Sequence, residues 1–127
     1  MRELLRRWAP PLAWMGVIYV LSAQPSLPSA PEPWLDVVLK KSGHALAYGL
    51  LAWLYLRALR GKAPPSERLR LLSLVLAVAY GATDEVHQAF VPGRTPRLTD
   101  VLIDGVGATL AMALERRRAQ ARPPTPR

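Results

Sequence analysis

Apolar residues concentrate in four stretches of the chain, and shorter polar connections separate them. The spacing favours helices, because no stretch alternates with the two-residue period of a half-buried strand. The second helix should extend back to Leu35, since Asp36 and Lys40 have the i,i+4 spacing of a helical ion pair. The four predicted helices cover Trp8–Ala23, Gly43–Leu59, Leu69–Phe90 and Thr99–Leu114. The pattern therefore predicts an all-α fold.

Proline and glycine mark the connections between these helices. The first connection, Gln24–Pro33, is rich in proline and predicts an extended segment. Ala63–Ser66 interrupts the second connection with two prolines. In Val91–Arg94, proline presets φ and the following glycine accepts a positive φ, so we predict a tight turn. Pro10 and Pro11 fit the opening turn of the first helix, where a missing N–H costs little.

The apolar stretches indicate a membrane protein rather than a soluble bundle. A soluble helix normally keeps one charged face, but Ala45–Leu56, Leu71–Thr83 and Ala108–Leu114 carry no charge on any face. The stretches lie at or below the short end of the ~17–25 residues that a bilayer span needs, so their polar ends must complete each span. We predict a membrane-embedded bundle of four short transmembrane helices, with a soluble helical bundle as the alternative.

The charge distribution predicts the topology. The 127 residues carry a formal net charge of +8. Thirteen of the seventeen basic residues lie before the first predicted helix, after the fourth, or in the connection between the second and third with the helix ends beside it. Basic residues collect on the cytoplasmic side, so we predict a multi-pass protein of the cell membrane with both termini cytoplasmic. Its parts would be a basic N-terminus over 1–7, a membrane domain over 8–114 and a basic, disordered tail over 115–127.

Composition narrows the remaining classes. No RNA- or DNA-binding motif accompanies the positive charge, so we expect no nucleic-acid partner. The chain has no cysteine, which excludes disulfides and thiol catalysis. Basic residues followed by an apolar run also resemble a signal peptide, with a weak cleavage candidate at Ser29-Ala30. Cleavage there would leave three spans and place the tail outside, against the charge distribution.

The densest group of ionisable residues lies in Thr83–Gly107, between two apolar stretches. Such groups are costly in an apolar setting unless they pair, meet water or take part in chemistry. The second helix adds Lys41, His44 and Tyr48, whose spacing places them on one face. The candidate residues in Thr83–Gly107 are the ionisable Asp84, Glu85, His87, Arg94, Asp100 and Asp104, together with the polar Gln88. Three helices bring these residues to one depth near the outer face, so we predict a single polar site there.

These residues also have plainer interpretations. The whole group would serve as an ion-pair network that only holds the helices together. Lys41 would reach toward the lipid headgroups. Arg94 would neutralise Asp84 or Asp100, and His44 would bond a carboxylate of the fourth helix. The sequence leaves these interpretations open beside the functional ones.

The same residues resemble the motifs of the VanZ-like family, small membrane proteins named for a member linked to teicoplanin resistance. The family patterns are Asp-Lys-x-x-His-x-x-x-Tyr, then Asp-Glu-x-x-Gln-x-Phe-x-Pro-x-Arg, then Asp-x-x-x-Asn-x-x-Gly. The matching residues here are Lys41, His44, Tyr48, Asp84, Glu85, Gln88, Phe90, Pro92, Arg94, Asp100 and Gly107. Lys40 stands where an Asp is usual, and Asp104 stands where an Asn is usual. The resemblance covers about residues 12–114 and implies a membrane-embedded cell-envelope protein, without supplying a reaction.

One functional hypothesis is a binding protein. It would lower sensitivity to a glycopeptide of the teicoplanin type by holding a lipid-linked wall precursor or an anionic lipid at the outer face. Arginine and lysine side chains suit phosphate or carboxylate, and carboxylates suit amines or hydroxyls. The candidate ligand-binding residues are Lys41, Tyr48, Gln88, Arg94 and Asp104.

A second hypothesis is an intramembrane hydrolase or transferase that acts on an outer-leaflet lipid or glycan. His44 would be the general base, oriented by Asp84 or Asp100, and these three residues should touch or nearly touch. Arg94 would stabilise an oxyanion or a phosphate. The candidate catalytic residues are His44, Asp84, Glu85 and Asp100. Whether the protein is an enzyme stays open at this stage.

Two further hypotheses are a metal-dependent variant and a scaffold with no chemistry. Histidine and carboxylates can bind Zn or Mn. The chain has no compact ligand motif such as His-Glu-x-x-His, so we expect no metal and no other cofactor. A small transporter is disfavoured, because four short spans without an inverted repeat leave little machinery for alternating access.

Overall fold

The computed structural model describes residues 1–123 and consists of four helices joined by short connections. No strand occurs in this range, so the predicted all-α, four-helix architecture is confirmed. The second helix extends back past Leu35, as the Asp36–Lys40 spacing predicted. The helices are α1 Arg2–Ser22, α2 Pro33–Arg60, α3 Glu67–Gln88 and α4 Leu98–Ala121.

Local signals account for several helix ends. α2 begins with Pro33 in its first turn, where a missing N–H and a preset φ are compatible with a helix. It stops at Gly61, which adopts a φ of 57°. The side chain of Ser66 accepts the Leu69 N–H at 3.3 Å and caps α3. These residues lie in the connections that the sequence had marked as breaks.

Two helices are longer than predicted. α1 already begins at Arg2, so Pro10 and Pro11 lie inside it rather than in its opening turn. α4 continues to Ala121, so residues 115–121 are helical where a disordered tail was predicted. Ion pairing favours this extra helix, because Glu115 lies 2.6 Å from Arg70 at the start of α3. Residues 124–127 of the predicted tail lie outside the described range.

Helix α2 occupies the centre of the bundle and contacts the other three helices. The core consists of Ile18, Tyr48, Leu51, Ala52, Tyr55, Leu56, Ala77, Ala108 and Met112. Small residues bring α2 and α4 into close contact. A Cβ placed on Gly49 would lie 3.0 Å from the carbonyl oxygen of Gly107, and one on Gly107 would overlap the backbone of Ala45. These two glycines therefore allow the backbones of α2 and α4 to approach each other closely.

Neighbouring helices in the chain run antiparallel, so the bundle has two distinct ends. The site end carries the α1–α2 and α3–α4 connections. The basic end carries the start of α1, the α2–α3 connection and the end of α4. At the basic end, Nε of Arg7 donates to the carbonyl of Ala58 at 2.9 Å, and Arg70 bonds Glu67 at 2.7 Å. The connections on the predicted outer side and those on the predicted cytoplasmic side thus lie at opposite ends of the bundle.

The outer faces of the helices keep many large apolar side chains exposed, among them Leu102 at 62% and Leu110 at 58%. Within residues 1–123, none of the helices combines the length and the apolar character needed to cross a membrane. The four-helix part of the prediction is therefore confirmed, and its membrane-spanning part is not.

Candidate functional site

A cavity of about 680 Å³ lies at the site end of the bundle. Its wall combines the end of α1, the start of α2, the end of α3 and both connections at this end. The charged or titratable side chains that line it are Asp36, Lys40, Lys41, His44, Asp84, Arg94, Arg97 and Asp100. Polar residues from separate segments of the chain therefore meet at one cavity. We call it the site cavity.

The tight turn in the α3–α4 connection places Arg94 on the wall of the site cavity. The N–H of Arg94 bonds the carbonyl of Val91 at 3.2 Å, and Gly93 has a φ of 80°. This is the turn that the sequence predicted. A Cβ on Gly93 would lie 3.2 Å from the carbonyl oxygen of Pro25, so the two connections pack on each other. Nη2 of Arg94 donates to the carbonyl of Leu21 at 3.2 Å.

Two of the lining carboxylates are neutralised by neighbouring lysines. Lys41 of α2 forms an ion pair with Asp100 of α4, so it is committed to a protein partner. Lys40 pairs with Asp36 at 2.8 Å, the i,i+4 contact that the sequence predicted. Asp36 also accepts the Ala30 N–H at 3.0 Å, which holds the α1–α2 connection. The hydrogen bond from Lys40, followed by the one from Ala30, lowers the pKa of Asp36 below its usual range.

His44 is oriented by Asp104, not by Asp84 or Asp100. Its Nδ1 lies 2.9 Å from Oδ1 of Asp104, whose side chain is 1% exposed. The reason is register: α2 and α4 run parallel, and Lys41 already engages Asp100 one turn nearer the site end. Asp104 does not line the site cavity, so it lies behind His44 and is not placed to touch a ligand. His44 lines the site cavity, and within residues 1–123 its hydrogen bond is made through Nδ1 rather than Nε2.

Glycine at position 81 makes room for this pair, and the sequence analysis missed it. A Cβ there would lie 2.9 Å from Oδ2 of Asp104 and 3.3 Å from the ring of Tyr48. Any larger side chain on this face of α3 would displace the carboxylate that orients His44. The available signal was a glycine in the middle of an apolar helix, three residues before Asp84.

Glu85 connects two helices rather than lining the cavity. Its Oε2 accepts the N–H of Arg97 at 2.9 Å and so holds the start of α4 against the end of α3. Its other oxygen, Oε1, is buried and has no hydrogen-bond partner within the described part of the chain. Glu85 does not line the site cavity. Glu85 thus lies within electrostatic range of His44 but is not on the cavity wall that His44 lines.

Gln88 and Tyr48 line the site cavity as rigid polar elements. Nε2 of Gln88 donates to the hydroxyl of Ser22 at 2.9 Å and ties α3 to α1. The ring of Tyr48 lies nearly parallel to that of His44, at 6.4 Å between centroids. The Tyr48 hydroxyl is buried and finds no hydrogen-bond partner in residues 1–123. His87 stacks on Tyr19 at 4.6 Å, away from the cavity.

The charges of the site cavity are only partly balanced by one another. Asp84 is 6% exposed, lines the cavity and forms no ion pair within the described range. Arg94 also forms no ion pair there, so it is not the counter-ion of Asp84 or Asp100. Its Nε is buried without an acceptor in residues 1–123. Over the same residues, no group of three or more His, Asp or Glu is arranged to hold a metal ion.

Comparison with known proteins identifies the family. Neither a curated protein nor a solved structure matches the chain. The model of the VanZ/LLP1 family matches residues 7–117, which include most of each of the four helices and every residue of the site cavity. The resemblance seen in the sequence motifs is thereby confirmed. The chain belongs to the VanZ/LLP1 family.

Proposed function

We propose that this protein is a multi-pass protein of the cell envelope whose site cavity binds the anionic group of an envelope component. The ligand would be a lipid-linked wall precursor or an anionic lipid, presented at the outer face of the membrane. Holding such a component would lower sensitivity to a glycopeptide of the teicoplanin type. The observation that carries the proposal is Arg94, a cavity-lining guanidinium without a carboxylate partner in residues 1–123.

The hydrogen-bonding capacity of Arg94 supports an anionic ligand. A guanidinium carries five N–H donors, and the carbonyl of Leu21 accepts only from Nη2. The buried Nε finds no acceptor in the described chain. A phosphate or carboxylate would accept two parallel bonds from such a group, which a lysine cannot offer. Lys41, by contrast, is already neutralised by Asp100.

Two features support a membrane location for the bundle. Exposed apolar side chains follow the outer faces of the helices, as in Leu102 and Leu110 of α4, where a soluble protein would place polar ones. The helices have 21 to 28 residues. At ~1.5 Å per residue the shortest is about 31 Å long, comparable with a hydrocarbon core of ~30 Å. The arginines at the basic end agree with a cytoplasmic position for that end.

The topology is testable with single cysteines, since the chain has none of its own. We expect a membrane-impermeant maleimide added to intact cells to label Ser29→Cys in the α1–α2 connection. It should not label Lys62→Cys in the α2–α3 connection. Permeabilised cells provide the control, in which both positions should react. Labelling of position 62 but not 29 in intact cells would contradict the proposed orientation.

The binding function is testable with purified protein in nanodiscs. We expect inorganic phosphate and vesicles that contain phosphatidylglycerol to bind the wild type, and Arg94→Ala to weaken both. Arg2→Ala removes the same charge from the exposed start of α1 and is the matched control. Equal loss in both variants would indicate general electrostatic attraction, and the proposed site would be wrong.

A second candidate function is an intramembrane hydrolase or transferase, and the His44–Asp104 pair favours it. A buried carboxylate on Nδ1 fixes the ring and leaves Nε2 to take a proton from water or a hydroxyl. Arg94 would stabilise the charge that develops on phosphate or an oxyanion. Mass spectrometry of envelope lipids from cells with wild type or His44→Ala should reveal a chemically changed species if turnover occurs. An unchanged but co-purifying species would support binding alone.

A further inference from the structure

We infer that the ligand of the site cavity carries a primary ammonium beside its anionic group, and that Asp84 binds this ammonium. The inference rests on the proposed function and extends it, because it assigns a second charge to the same ligand. The chemical class is a zwitterionic headgroup of the phosphoethanolamine or amino-acid type. Such a headgroup can belong to a lipid or to a small soluble molecule.

The state of Asp84 is the first observation. Three carboxylates line the site cavity, and two have cationic partners: Asp36 pairs with Lys40, and Asp100 with Lys41. Asp84 is only 6% exposed, and no lysine, arginine or histidine pairs with it in residues 1–123. An isolated carboxylate removed from water is unfavourable unless a cation or hydrogen-bond donors compensate it. A ligand ammonium would provide that compensation.

Other contacts hold the two arginines that line the cavity. Arg94 bonds Leu21 at the end of α1, and the backbone of Arg97 is held by Glu85. Both arginines belong to the connection beyond the end of α3. Asp84 lies one turn before Gln88, the last residue of α3, and therefore about 6 Å further into the bundle along the helix axis. An anion at the mouth and an ammonium deeper in the cavity fit this order of charges.

The hydroxyl of Tyr48 indicates which kind of cation fits. Tyr48 lines the same cavity beside Asp84, and its buried hydroxyl makes no hydrogen bond of normal geometry within residues 1–123. A primary ammonium has three N–H donors, which can serve both the carboxylate and the phenolic oxygen. A quaternary ammonium has no N–H donor and would offer a hydrogen bond to neither oxygen. The geometry therefore favours a primary amine.

The test compares ligands that share a phosphate and differ in the second group. Purified full-length protein is titrated with phosphoethanolamine, 2-hydroxyethyl phosphate and phosphocholine. Since hydrogen bonds to charged groups contribute about 1.5–3 kcal/mol, phosphoethanolamine should bind at least about tenfold more tightly than the other two. Asp84→Asn should remove this preference while phosphate is still bound. Asp36→Asn, at a paired carboxylate of the same cavity, should keep it.

A lipid arm distinguishes the sources of the headgroup. Nanodiscs with phosphatidylethanolamine and with phosphatidylglycerol are compared in the same variants. If the Asp84-dependent preference for the amine appears only with lipids, the ligand is a lipid headgroup. If the soluble compounds show the same preference, the ligand is a free zwitterion.

The two proposals fail in different ways. If the wild type binds the three phosphate compounds equally, or Asp84→Asn keeps the preference, the ammonium site is wrong while the anion site stands. If the wild type binds no phosphate compound or anionic lipid, the proposed function is wrong, and the inference falls with it. The wild-type comparison decides the matter even if Asp84→Asn does not fold.

Discussion

Replacing Arg94 by alanine separates a ligand-binding role from a structural one. Within residues 1–123 the side chain makes one hydrogen bond, to the carbonyl of Leu21 at 3.2 Å, and no ion pair. A hydrogen bond of this kind contributes about 0.5–1.5 kcal/mol to stability. We therefore expect Arg94→Ala to lower the free energy of unfolding by about 1 kcal/mol, which is ~3–5 °C in melting temperature for a domain of this size.

Arg70 offers the matched structural comparison. Its side chain is 10% exposed and pairs with Glu115 at 2.6 Å and Glu67 at 2.7 Å. Removing one member of a buried ion pair costs about 3–5 kcal/mol, because the remaining charge is left uncompensated. Glu67 is largely exposed, so we expect the lower end, about 3 kcal/mol, for Arg70→Ala. The two arginine variants should thus differ about threefold in their effect on stability.

The effects on phosphate binding should follow the opposite order, with a larger loss of affinity in Arg94→Ala than in Arg70→Ala. Loss of a charge-assisted contact to phosphate, worth about 1.5–3 kcal/mol, corresponds to roughly 10- to 100-fold weaker binding for Arg94→Ala. Arg94→Lys should restore only part of it, since an ammonium cannot make the planar two-point contact. Arg70→Ala, at the basic end, should bind phosphate as the wild type does at temperatures where it is folded.

The assay measures melting temperature and phosphate affinity side by side for Arg94→Ala, Arg94→Lys and Arg70→Ala. A loss of stability in Arg94→Ala as large as that in Arg70→Ala, or a failure of Arg94→Ala to fold, would contradict the prediction. Arg94 would then belong to a structural network, and the anion site would lose its main residue.

Two further predictions address the packing and the site-end connection. Gly107→Ala should destabilise the protein by at least the 1–3 kcal/mol typical of overpacking, because its Cβ would overlap the backbone of Ala45. A Cβ on Gly16 would meet nothing within 4 Å, so Gly16→Ala should stabilise α1 by about 0.5–1 kcal/mol. Equal melting temperatures for Gly107→Ala and Gly16→Ala would contradict this prediction. The pKa of Asp36 is lowered in the folded protein, so its contribution to stability is present above the usual value of 3.8 and is lost as pH falls below it. The protection factor of the Ala30 amide against hydrogen exchange should fall over that acidic range, and Asp36→Asn should abolish the change. A protection factor independent of Asp36 would exclude this carboxylate as the holding group.

The sequence alone determined the helices and the turn, because local rules govern both. The helix predictions contained the centres of all four helices, since apolar runs and proline-containing breaks act over a few residues. The turn at Val91–Arg94 followed from the φ preferences of proline and glycine. The start of α1 and the end of α4 were misjudged, because both make contacts with residues far away in the chain: Arg7 donates to the carbonyl of Ala58, and Glu115 pairs with Arg70.

The motifs also indicated which residues would meet at one end of the bundle. An antiparallel chain of four helices must return alternate connections to the same end, so Lys41, His44, Asp84, Arg94 and Asp100 came together on topology alone. Recognition of the family rested on the same residues, and the match over residues 7–117 agrees with it.

Only the tertiary structure decided which side chains of the site pair with one another. Asp104 rather than Asp84 or Asp100 orients His44, and Glu85 accepts the backbone N–H of Arg97 without lining the cavity itself. These choices depend on the rotation and axial register of α2 against α4. That register is set where the backbones of Gly49 and Gly107 meet, and a shift of one residue rotates a helix by about 100°. Helical periodicity specifies which side chains share a face, but not which face of a neighbouring helix they will meet.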